Sequence, residues 1–86
     1  MPASSSYQLL VAGEVFEAWE TLRRADRLLI ADTFEFLADY PYTAGDYVEI
    51  KEDGIAANVL LKGHFLLTFR ADHAARELRI LRVERA

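Results

Sequence analysis

Eighty-six residues with 52% apolar side chains and a net charge of −4 are enough for one small globular domain. The absence of cysteine excludes disulfides and thiolate metal sites, and no apolar run approaches the ~20 residues that span a bilayer. A negative total also argues against a protein that holds nucleic acid by charge alone, so the placement of the charges matters more than their sum.

A chain of this size buries only roughly 60–65% of its unfolded surface, which leaves a small core. Met1 to Ser6 is small and polar, with neither a basic nor an apolar segment, and is expected to be a flexible leader rather than a signal peptide. The remainder is expected to form a single domain, and the lack of cysteine fits a cytoplasmic protein.

Tyr7 to Ala12 predicts a first strand, closed by Gly13. A helical region follows from Glu14 to Asp39, with Val15, Trp19 and Leu22 as one apolar stripe and Ile30, Phe34 and Leu37 as a second. One straight helix over this span would be about 37 Å long. A compact domain of this length is only about 30 Å across. A helical hairpin is therefore expected, turning near Arg23–Asp26 with Asp26 as the cap. Pro41 stops the second helix, because the residue before proline avoids the helical region.

Tyr47 to Glu52 alternates as a half-exposed strand, and Asp53-Gly54 is the strongest hairpin signal in the chain. Ile55 to Leu61 is the next strand, Lys62-Gly63 the next turn, and His64 to Asp72 the central strand. The polar link Asp72–Arg76 then leads into a last strand, Glu77 to Arg85. The fold class is therefore α+β: an N-terminal strand, a helical hairpin, then an antiparallel sheet of about four strands with the helices on one face. Phe65, Leu67 and Phe69 should pack beneath Trp19, Ile30, Phe34 and Leu37, while His64, Leu66, Thr68 and Arg70 point to the other, open face.

Charge is unevenly spread. Residues 1–54 carry four basic and eleven acidic side chains, whereas residues 55–86 carry six basic and three acidic ones. That asymmetry suggests an anionic partner for the C-terminal part, although alternating charges on a solvated sheet would look the same. The cationic candidates are Arg70, Arg79, Arg82 and Arg85, with Lys51 and Lys62 beside them. Such groups hold phosphates and offset charge that develops in phosphoryl chemistry. Arg79 and Arg82 share a face only if a bulge shifts the register of the last strand. No metal and no cofactor is expected. His64 and His73 lack acidic partners at ligand spacing, and the four glycines are isolated turn residues rather than a phosphate loop.

The order of elements resembles the RelE/ParE toxin superfamily of type II toxin–antitoxin modules. So do Phe34-Glu35-Phe36-Leu37-Ala38-Asp39-Tyr40-Pro41 at the close of the helices and the central Gly63-His64-Phe65-Leu66-Leu67-Thr68-Phe69-Arg70-Ala71-Asp72. Glu77-Leu78-Arg79-Ile80-Leu81-Arg82-Val83 is similar to the family's last strand. The resemblance implies a toxin neutralised by a cognate antitoxin. A RelE-like member would be a metal-independent endoribonuclease cutting mRNA on the ribosome. In that case His64 is implied as general acid or base and Arg70 and Arg82 as phosphate-holding catalytic groups, with Lys51, Lys62, Arg79 and Arg85 binding RNA. A ParE-like member would inhibit DNA gyrase without catalysis, and a degenerate solitary domain would act by protein contact, for instance as a homodimer.

Overall fold

Among the described residues, short apolar-rich runs build five strands, and two apolar stripes at helical spacing build two helices between the first strand and the rest. The structure, a computed structural model, describes residues 6–86; most of the expected leader, residues 1–5, lies outside the described residues. The elements are β1 (Gln8–Val11), α1 (Gly13–Glu20), α2 (Arg24–Asp39), β2 (Tyr47–Ile50), β3 (Ala56–Lys62), β4 (Phe65–Asp72) and β5 (Glu77–Arg85). The sheet order is β1-β5-β4-β3-β2. Strands β2 to β5 form the expected antiparallel run, and β1 lies parallel to β5, so the sheet is mixed. The connection from β1 to its parallel neighbour passes through the helices and the other strands, as a parallel pairing requires.

The helical hairpin turns at Thr21–Arg23, slightly earlier than expected, and buries Leu22. Its second helix is capped by the backbone of Arg23 rather than by Asp26. Asp26 instead sits in the first turn, 3.6 Å from Arg23 Nε, where the positive end of the helix favours a carboxylate. Phe65, Leu67 and Phe69 join Ile30, Phe34, Leu37, Leu78 and Ile80 in one buried cluster, with Trp19 packed against it. The Trp19 and Phe34 rings stack at 6.4 Å.

One turn and one bulge set the register. Gly63 has φ +60°, which places the two-residue loop at Gly63-His64 and makes Lys62 and Phe65 its closing pair. His64 is thus an exposed turn residue, not a strand residue on the open face. The second irregularity lies in β5. Thr68 faces Arg82 while Phe69 faces Ile80, so Leu81 is an extra, bulged residue.

Candidate functional site

The helices leave one side of the sheet uncovered. Residues directly opposite in register share a face, so Arg70 and its partner Arg79 lie on the same side as Thr68 and its partner Arg82. The bulge at Leu81 is what allows Arg79 and Arg82, three residues apart, to share this side. On β2 and β3 the same side carries Tyr47, Glu49, Ala57, Val59 and Leu61, by their register with β4. Ala57, Val59 and Thr68 are short side chains, yet they are only 1–3% exposed. They form the floor over which Arg82, on β5, reaches Glu49 on β2, with β4 and β3 between them.

A groove of about 870 Å³ opens on this side, lined by Glu49, Lys51, Asp53, Arg70 and Arg82 and walled by the start of α1 at Glu14. Each of its cations faces a carboxylate of the chain itself. Arg82 Nη2 donates to Glu49 Oε1 at 3.1 Å, and Lys51 Nζ lies 3.7 Å from the same oxygen. Arg70 Nη2 lies 3.6 Å from Asp53 Oδ2. Beside the groove, Arg79 donates to Glu77 at 2.7 Å and lies 3.5 Å from Asp72. The hydrogen bond and charge of Glu77 push the Arg79 guanidinium further above its ordinary range. The open face is therefore charge-balanced rather than a bare cationic patch. Two donors are left over: Arg70 Nε and Arg82 Nε are buried without a hydrogen-bond acceptor. Arg82 Nε lies within ion-pair distance of Glu84, at 3.2 Å, but without hydrogen-bond alignment.

The structure brings Arg70, Arg79, Arg82 and Lys51 together and separates the other sequence candidates from them. His64 sits at the opposite end of β4 from Arg70, six residues or roughly 20 Å away along the strand. Lys62, paired with Phe65, falls on the helix-covered side and lines a cleft with Leu29, Asp32 and Phe36. Arg85 faces the same side, with its guanidinium 5.2 Å over the Phe65 ring. Simple alternation hides these assignments, because they depend on the Gly63-His64 loop and the bulge.

The sequence reading missed two features. One is Glu49, whose signal was its alternation with Tyr47 and Lys51. The other is an aromatic cluster at the C-terminal end of α2. Tyr7 Oη lies 2.8 Å from His73 Nδ1, and Tyr42 stacks on His73 at 4.2 Å. Hydrogen bonding to Tyr42 and then burial push the Tyr7 phenol up. These residues come from three distant parts of the chain, and no local pattern joins them. No helix among the described residues is long and apolar enough to cross a membrane.

The sequence matches no protein-family model and no curated protein. Solved structures do resemble it. RelE in the archaeal RelE–RelB complex from Pyrococcus horikoshii OT3 superposes with a TM-score of 0.77 at 12% identity, over 93% of this chain and 94% of that one. The toxin–antitoxin complex RelBE2 from Mycobacterium tuberculosis gives 0.75 at 19% identity, over 94% and 99%. The isolated E. coli RelE toxin gives 0.76 at 12% identity, over 94% and 85%. The chain has the RelE-type toxin fold.

Proposed function

We propose that the chain is the toxin of a toxin–antitoxin pair, held in check by a cognate antitoxin, and that it acts on RNA through its open sheet face. The observation that carries this reading is the row of Arg70, Arg79 and Arg82 on the one sheet face the helices leave bare. Support comes from a fold shared, over nearly the whole chain, with toxins two of which were solved bound to antitoxins. In this reading Arg70 and Arg82 hold the scissile phosphate and offset its growing negative charge. Arg79 and Lys51 hold the adjacent backbone. The reaction is metal-independent attack of a ribose 2′-hydroxyl on the neighbouring phosphorus of ribosome-bound mRNA in the cytoplasm, forming a 2′,3′-cyclic phosphate as the bond to the 5′-oxygen breaks; water takes the 2′-hydroxyl proton and protonates the leaving 5′-oxygen.

A second reading is inhibition of a protein target, such as DNA gyrase, without catalysis. One observation favours it: His64, the expected acid or base, stands at the other end of the strand from Arg70. Primer extension on translated mRNA, run beside a supercoiling assay, separates the two. Ribosome-dependent cuts that vanish in Arg70→Ala and Arg82→Ala are the expected result. Blocked supercoiling with intact mRNA would replace the first reading by the second.

A further inference from the structure

The groove already contains an anion of its own. Glu49 Oε1 takes a hydrogen bond from Arg82 at 3.1 Å and lies 3.7 Å from Lys51 Nζ, so one carboxylate oxygen engages two of the groove's cations. Glu49 is carried by the edge strand β2, and its side chain is 39% exposed, so it can swing away without disturbing the core. Its counterpart at Arg70 is looser. Asp53 approaches from the β2–β3 hairpin at 3.6 Å, with half of its side chain in solvent.

An independent feature shows that these carboxylates fill the site incompletely. Arg70 Nε is a buried donor with no acceptor, and Arg82 Nε, although 3.2 Å from Glu84 Oε2, makes no aligned hydrogen bond. Leaving such donors unmet is unfavourable, and a phosphate brings several acceptor oxygens where a carboxylate brings two.

We infer that Glu49 is the resident counter-ion of a phosphodiester site and is displaced when a phosphate enters, so that it sets the affinity of the groove. The inference rests on the reading that the groove takes RNA. A phosphate replacing Glu49 would engage Arg82 and Lys51 together, and its further oxygens would be open to Arg70, whose own carboxylate partner is 3.6 Å away. Glu49 thereby holds the affinity of the free protein low, and a strand must present a phosphate at the right place to dislodge it.

The test separates binding from cleavage. A labelled single-stranded 2′-O-methyl RNA, which lacks the nucleophile, is titrated against the wild type, Glu49→Gln, Asp53→Asn and Glu35→Gln. Glu35 is an exposed residue of α2 and controls for net charge alone. Exposed ion pairs are weak, so Glu49→Gln should bind roughly two- to fivefold tighter than Glu35→Gln. The slope of log affinity against log salt should steepen by about 0.7, one further phosphate contact on a single strand. Asp53→Asn should act in the same direction through Arg70, and adding Arg82→Ala to Glu49→Gln should abolish the gain. Inorganic phosphate, followed by NMR of the arginine Nε–H signals, reads the same site without RNA. Sharper phosphate binding in Glu49→Gln with no RNA binding by any form would sink the RNA reading and uphold the counter-ion. Equal affinities in Glu49→Gln and Glu35→Gln, or a gain that survives Arg82→Ala, would overturn the inference.

Discussion

Arg70 and Arg79 stand opposite one another across β4 and β5, an arrangement that is destabilising for like charges unless each is compensated. Asp53 compensates the first, and Glu77 and Asp72 the second. The groove's carboxylates thus have a structural task as well as the competitive one inferred for Glu49. Another single contact, the Tyr7 hydroxyl against His73 Nδ1, ties the start of β1 to the β4–β5 loop. Tyr7→Phe removes it while keeping the ring. A net hydrogen bond is worth about 0.5–1.5 kcal/mol. In a domain of this size each kcal/mol corresponds to about 4–8 °C of Tm. A calorimetric scan should therefore show a drop of several degrees, and an unchanged Tm would mean that the bond contributes nothing. Gly45 is the other sensitive residue. A Cβ there would lie 2.6 Å from the backbone oxygen of Val59, so Gly45→Ala must push the loop off β3. A destabilisation of roughly 1–3 kcal/mol is expected in chemical denaturation.

Among the elements, β4 is the one on which both layers depend, since its Phe65, Leu67 and Phe69 are buried and its Arg70 lines the groove. Phe69→Ala should cost about 3–5 kcal/mol, a large share of a small domain's stability. A melting temperature within a degree or two of the parent would show that Phe69 does not anchor the core. The alternation in β4 and the helical spacing of Trp19, Ile30, Phe34 and Leu37 were legible in the sequence because burial imposes one period on each element. The Asp53-Gly54 hairpin was legible from its turn chemistry, and Gly54 indeed takes a positive φ of 81°. The parallel seat of β1 beside β5 was not. A four-residue strand carries no mark of which sheet edge it joins. The bulge at Leu81 was equally hidden, since it is a property of the pairing with β4 rather than of β5 itself. That is why Arg79 and Arg82 could be named as candidates yet not assigned to one face, and why Lys62 and Arg85 joined them on paper but not in space.

Across the whole molecule, the excess of acid lies in the first 54 residues and the excess of base in the last third. Folding largely cancels the second excess on the open face, where carboxylates from β2, its hairpin and β5 meet the arginines. The groove of this RelE-type fold keeps its cations paired with the chain's own carboxylates, and the role inferred for Glu49 is to hold its part of that pairing until a phosphate displaces it. In the proposed function, harm to the cell comes from this face. The most direct measurement is bacterial growth after induced expression of the wild type and of an Arg70→Ala/Arg82→Ala double variant, with soluble, folded protein confirmed for both. Arrest by the wild type, relief of that arrest by co-expression of the proposed cognate antitoxin, and normal growth with the double variant are the expected result. Arrest of equal depth by both forms, or unimpaired growth with soluble wild type, would contradict it.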